Sequence, residues 1–145
     1  MSGADNKELV RRLFAALDAN IDPDWSVVDE FVAHDFVSHT PQLPGLTPDR
    51  DGLKQTAEIF RAATPGSHEI LLQVAEDDLV VTHAVGRGVH TGELMGIPAS
   101  NRPVEAAGIA IHRVRDGRIV EYWAVTDVVR ILQQIGALPV PEGGG

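Results

Sequence analysis

The sequence contains no cysteine. A disulfide framework, a thiol nucleophile, an iron–sulfur cluster and a thiolate zinc site are excluded together, so any chemistry must come from oxygen and nitrogen groups. Positive charge is also short: 12 Lys and Arg stand against 21 Asp and Glu, a formal net charge of −9. The basic stripe of a nucleic-acid-binding surface is therefore missing, and no nucleic-acid partner is expected. No apolar run approaches the ~20 residues needed to cross a bilayer. The polar residues 1–7 do not resemble a signal peptide, so a soluble, cytoplasmic protein with no membrane partner is expected. At 145 residues the chain has the length of one domain, which buries roughly two-thirds of its unfolded surface. Aromatic residues are few, with four Phe, two Trp and one Tyr, and against them stand six histidines: His34, His39, His68, His83, His90 and His112.

Leu9, Val10, Leu13, Phe14, Leu17 and Ile21 recur at helical spacing, and Asp5 with Glu8 three residues later has the form of a capping box. An amphipathic helix is expected there. Trp25, Val28, Phe31 and Val32 predict a second, shorter helix, followed by an extended piece over residues 36–39. Thr47 reads as the N-cap of a third helix, with Pro48 at its first position and Leu53, Ala57 and Phe60 on its buried side. From His68 the period changes to two. Ile70, Leu72 and Val74 alternate up to a turn at residues 76–78, and a second strand covers residues 79–89. After a loop over residues 91–103, strands are expected at 104–115 and 118–126. They are joined by Asp116-Gly117, a pair that tolerates positive φ at both positions. A last helix runs from Val128 to about Ile135 and stops at Gly136. Helices segregated from a meander of strands argue for an α+β fold with the helices on one face of the sheet. A single domain over residues 1–138 and a flexible tail over 139–145 are expected.

Three stretches carry a resemblance: FVSHTPQLPG at residues 36–45, GELMGIP at 92–98 and GIAIHRVRDGRIVEYWAVTD at 108–127. They resemble the SnoaL-like polyketide cyclases, a branch of the nuclear-transport-factor-2-like cone fold. The resemblance implies a cone-shaped, curved antiparallel sheet packed against three N-terminal helices, enclosing a deep apolar pocket. It also implies a homodimer packed through the sheets. The implied activity is an intramolecular aldol-type ring closure of a hydrophobic polyketide, with no cofactor and no metal. By motif position the implied catalytic acid is Asp127, and the implied histidines are His39 and His112.

Each candidate also has a reading from its local pattern. Asp127 precedes the final helix, where Asp is a favoured N-cap; as an acid or base it needs apolar surroundings. By period two, Trp123 shares a face with Val125 and Asp127 and is expected to form an apolar wall of the pocket. His39 ends the extended segment before Pro41, a pocket-mouth position, and an imidazole there can relay a proton. His112 alternates with Gly108 and Ala110, the small residues a cavity wall needs. His83 and Arg87 share a strand face and either bind a substrate carbonyl or form surface ion pairs. Met95 and Ile97 belong to an expected lid that touches substrate. His90 falls on the opposite face, and His34 and His68 are expected to face solvent.

The spacing of ligands for a metal, a phosphate-binding glycine loop and a Gly-x-Ser-x-Gly elbow are all missing. Within the same pocket the rival reactions are epoxide opening with Arg87 and Asp127, or dehydration and isomerisation. The latter usually wants a deep tyrosine, and Tyr122 has parity opposite to Trp123. A non-catalytic small-ligand-binding module is the third possibility.

Overall fold

The computed structural model describes residues 2–18, 23–40 and 43–142. In chain order the elements are α1 (Gly3–Leu17), α2 (Trp25–Phe31), β1 (Val32–Ser38), α3 (Arg50–Ala63), β2 (Gly66–Glu76), β3 (Leu79–Val89), β4 (Pro103–Arg115), β5 (Arg118–Thr126) and α4 (Val128–Gln134). The α+β expectation is met by four helices and a curved five-stranded sheet of order β1-β5-β4-β3-β2. Ile21, expected to close the first helix, and residues 143–145 of the expected tail lie outside the described residues.

Two helix starts differ from expectation. Ser2, not Asp5, caps α1: its hydroxyl accepts from the Asp5 amide at 3.1 Å, while Asp5 Oδ2 accepts from the Ser2 amide at 3.1 Å. At α3 the cap is Asp49 rather than Thr47. The Asp49 carboxylate accepts from the Gly52 amide at 2.9 Å and takes the Thr47 hydroxyl proton at 2.7 Å, a charged acceptor outcompeting a hydroxyl. A Cβ on Gly52 would stand 1.7 Å from the Thr47 carbonyl oxygen. Gly52→Ala is thus expected to destabilise the fold by on the order of 2 kcal/mol, read as a lower Tm by circular dichroism.

β2 to β5 form the expected antiparallel meander, and Asp116 (φ 52°) with Gly117 (φ 73°) makes the expected positive-φ turn. The extended piece predicted over residues 36–39 begins instead at Val32. It joins the sheet as β1, parallel to β5, with Val37 opposite Glu121 and Ser38 opposite Tyr122. A parallel neighbour needs a long crossover, which α3 and the meander supply.

Two β-bulges decide which side chains face inward. In the hairpin of β4 and β5, Val114 pairs with Ile119 but Arg113 pairs with Glu121, so Val120 is an extra residue. Because side chains alternate with period two, one inserted residue exchanges the faces for the rest of β5. His112 therefore pairs with Tyr122, Ala110 with Ala124 and Gly108 with Thr126. A second bulge, at Leu71, does the same in β2 and sets Leu72 opposite His83.

The inner face is covered by α1 and α2. Leu9, Val10, Leu13, Val28 and Phe31 pack there on Val32, Phe36, Val80, Val114 and Ile119. Each such buried side chain contributes about 1.5–3 kcal/mol. A second cluster, Ala63, Leu94, Val104, Ala106, Ile131 and Ile135, ties α3, the 91–102 loop and α4 to the far end of β4. Among the described residues no helix packs on the outer face. Leu72, His83, Ile109 and Val125 form a cross-strand row over four strands, and Val74, Val81, Ile111 and Trp123 form the next. Val125 in that surface is 74% exposed.

Candidate functional site

The bulge at Val120 aims Ala124 and Thr126 inward just where β5 runs out and α4 begins. Between that end of the sheet, Phe60 of α3 and Ile131 of α4 lies a cleft of about 230 Å³, walled also by Thr40, Leu43, Met95 and Val128. Its lining is mainly apolar, with the Thr40 and Thr126 hydroxyls as the polar groups. Met95 reaches it from a tight turn: Met95 and Gly96 have φ of 49° and 79°, and Leu94 and Ile97 exchange backbone hydrogen bonds at 3.0 and 2.8 Å. Ile97 turns instead into the second core cluster. The expected lid is thus a pinned hairpin tip of which Met95 faces the cleft.

Asp127 stands between two lining residues, Thr126 and Val128, and is exposed. It caps α4, with Oδ1 accepting from the Arg130 amide at 3.1 Å. Asp127 itself is not one of the residues that wall the cleft. Its second oxygen, Oδ2, has no hydrogen-bond partner among the described residues.

Deeper in, a second cavity of about 30 Å³ lies between β1, β5 and α3, bounded by Ser38, Thr40, Thr47, Leu53, Thr56 and Tyr122. Tyr122 packs at 5.0 Å between ring centroids on His112, whose other side meets Phe14 of α1 at 6.3 Å. His112 is only 3% exposed and its Nδ1 has no partner. Burial pushes its pKa down to about 4, so the ring is neutral at ordinary pH.

The other expected site residues lie across the sheet. Trp123 was expected to wall the pocket together with Asp127; the Val120 bulge puts it on the outer face, and it lines neither cavity. His39 stacks on it, rings 4.7 Å apart and inclined by 15°, and its Nε2–H donates to Glu121 Oε2 at 2.8 Å. Glu121 also accepts from Arg113 at 2.8 Å, and Arg113 donates onward to Asp78 at 2.7 Å. The His39 hydrogen bond and the Arg113 guanidinium together hold the Glu121 carboxyl below the usual carboxylate range. His83 sits in the outer apolar row, and Arg87 is paired with Glu105 at 3.0 Å and Glu69 at 3.3 Å on the same face. Asp127, His112 and His39 therefore do not converge: one heads α4, one lies under α1 and one is on the outer surface.

Of the histidines given no role, His68 pairs with Asp18 at 2.8 Å, as a solvent-facing residue can. His90 is wholly buried, its Nδ1 accepting from the Ser100 amide at 3.1 Å. Among the described residues no group of three or more His, Asp or Glu side chains is placed to hold a metal ion. None of their helices is long and apolar enough to cross a membrane. Sequence reasoning missed Thr40, Leu43, Phe60 and Tyr122. The signal for Tyr122 was its pairing with His112, which the inserted Val120 conceals.

The fold has counterparts in known proteins. Aklanonic acid methyl ester cyclase of Streptomyces sp. strain C5 is 27% identical over 142 residues, 94% of this chain and 85% of the relative. The crystal structure of wild-type IdmH from Streptomyces antibioticus is 33% identical, covering 90% of this chain and 98% of that one, with a TM-score of 0.78. TsrD from Streptomyces laurentii shares the fold at a TM-score of 0.83 with 22% identity, over 95% of this chain and 99% of the other. The family model described as SnoaL-like polyketide cyclase matches residues 8–135. Because that match takes in α1, the sheet, the cleft and Asp127 at the head of α4, the chain belongs to the SnoaL-like polyketide cyclase family.

Proposed function

We propose that this protein is a cofactor-independent cyclase that closes a ring in a hydrophobic polyketide by an intramolecular aldol-type reaction. The observation that carries the reading is the apolar cleft whose lining residues Thr126 and Val128 flank Asp127 in the chain, together with the unshared Oδ2 of that carboxylate. In the reaction Asp127 takes a proton from the carbon activated by neighbouring carbonyls. The resulting enolate carbon forms the new C–C bond to a second carbonyl carbon of the same chain, and the alkoxide so made recovers the proton. The atoms balance without a cofactor. A positioned base supplies ~10²–10⁴-fold of such a rate, and holding the chain folded for closure supplies more. A bound substrate covers the exposed carboxylate, and the desolvation this brings strengthens it as a base.

Aklanonic acid methyl ester, named for the curated relative, is the first compound to test. The expected result is conversion to a product of unchanged mass, followed by liquid chromatography and mass spectrometry and unaffected by chelator. Absence of turnover with this ester and with other polyketide esters would refute the reading. Dehydration or isomerisation in the same cleft is a second reading, favoured by Tyr122, which faces the deep cavity rather than away from it. Loss of water from the product distinguishes dehydration. Epoxide opening draws no such support, because Arg87 is tied to Glu69 and Glu105 on the outer face.

The working unit is a homodimer packed through the outer face. Two rows, apolar apart from His83 and spanning four strands, are left uncovered by the helices of the described residues, and a second copy presents the same rows in return. Ile109→Glu places a charge in the middle of that surface, beside His83 and Val125. It is expected to weaken dimerisation by on the order of 10²-fold, since a buried unpaired charge costs several kcal/mol. Light scattering after size exclusion reads the change, and a wild-type protein that is monomeric at high concentration would overturn it.

A further inference from the structure

Thr40 is a wall of both cavities. The smaller one holds about 30 Å³; its lining is mainly apolar, with Leu46, Gly52 and Leu53 beside the hydroxyl-bearing Ser38, Thr40, Thr47, Thr56 and Tyr122. A water needs roughly 10–15 Å³ by this measure. The space therefore suits one carbonyl oxygen with its carbon, or a water or two, and excludes a ring. Its hydroxyls are not equivalent. Thr47 spends its proton on Asp49 Oδ1 at 2.7 Å, and Thr56 donates to the Gly52 carbonyl at 2.8 Å. Thr40 is held the other way: its oxygen accepts from the Ala124 amide at 2.6 Å, and among the described residues nothing accepts its proton. The Ala124 bond fixes the oxygen on β5, so the hydroxyl proton is left to point elsewhere.

We propose that this cavity is an oxygen subsite, in which a carbonyl or enolate oxygen of the substrate accepts a hydrogen bond from the Thr40 hydroxyl. The ring or chain that bears the oxygen stays in the 230 Å³ cleft. A water occupies it when no substrate is bound. As Asp127 removes a proton from the adjacent carbon, negative charge gathers on this oxygen, and a donor already aimed at it needs no rearrangement. Thr40 keeps its own proton throughout. The catalytic role rests on the cyclase reading; the preference for an oxygen in this position does not.

The test separates the two. Binding of 2-acetylnaphthalene is compared with that of 2-isopropenylnaphthalene, an isostere that replaces the carbonyl oxygen by CH₂, using fluorescence titration of wild-type protein and of Thr40→Ser and Thr40→Val. One net hydrogen bond corresponds to a preference of about 5-fold for the ketone. Wild type and Thr40→Ser are expected to show it and Thr40→Val to lose it. If the Ala124 amide, left unpaired, unfolds Thr40→Val, then Thr40→Cys, whose thiol is a weaker donor than the hydroxyl, is expected to reduce the preference. Equal binding of both probes by wild type, or an undiminished preference in Thr40→Val, would overturn the proposal whether or not any polyketide is turned over. With a turned-over ester, Thr40→Val is expected to lower kcat by ~10²-fold with KM changed less. Unchanged kcat would remove the catalytic role.

Discussion

Asp127→Asn is expected to lower the cyclisation rate by ~10²–10⁴-fold and to leave the melting temperature where it is. The two halves follow from the two oxygens of one side chain. Oδ1 caps α4 by accepting from the Arg130 amide at 3.1 Å, and asparagine caps as well as aspartate because its amide oxygen can accept the same bond. Oδ2, the oxygen with no described partner, becomes an NH₂ that cannot take a proton. Asp127→Ala removes both functions, so it should lose the same activity and in addition about 1 kcal/mol of stability. Asp127→Ser, which can cap but carries no carboxylate, should melt like wild type and turn over like Asp127→Asn. The reading of kcat against KM matters too. A base acting only in the transition state changes kcat, whereas a carboxylate that merely holds substrate raises KM. Full turnover by Asp127→Asn would leave Asp127 as a helix cap and nothing more.

The element order was legible in the sequence because each part of it is a local statement. The helical spacing of Leu9, Val10 and Leu13, the Asp116-Gly117 turn and the period-two strands depend on neighbours a few residues away, and all appear where they were expected. What was not legible depends on pairing across the sheet. An unbroken hairpin counted from Arg115 and Arg118 puts His112 opposite Glu121, and therefore on the same face as Trp123. One bulged residue, Val120, reverses this, hides Tyr122 and brings Trp123 out to His39. Alternation tells which residues of one strand share a face, but not which face of the neighbour they join. The cleft was only partly legible for a similar reason. Asp127 and Met95 could be read from motif position, whereas Phe60 and Leu43 reach it only because α3 and the segment before it fold back against β5. The parallel pairing of β1 with β5 is likewise a long-range contact, and it is what places Thr40 beside Ala124.

The same hidden pairing produces the largest pH effect expected of this fold. His112 is 3% exposed, lies between Phe14 and Tyr122, and has no partner for Nδ1. Burial alone holds its pKa at about 4 in the folded state, against about 6.5 in the unfolded chain. Above the higher value the ring is neutral in both states and contributes no pH dependence. Between the two values the unfolded chain binds a proton that the folded one refuses, so unfolding is favoured increasingly as pH falls. Below about 4 the folded state is protonated as well and the loss levels off. At about 1.4 kcal/mol per unit the whole loss is on the order of 3 kcal/mol, a large part of the stability of a domain this size. Urea unfolding of wild type and His112→Leu at pH 7 and pH 4.5 isolates it, since the carboxylates titrate alike in both. The gap between the proteins should move in favour of His112→Leu by about 2–3 kcal/mol on acidification. At pH 7 the substitution should cost little, because leucine is apolar and removes a buried nitrogen that has no partner. Stability curves that run parallel from pH 7 to pH 4.5 would mean that the ring is hydrated or paired in the folded protein, and the enclosed wall behind Tyr122 would have to be abandoned with it.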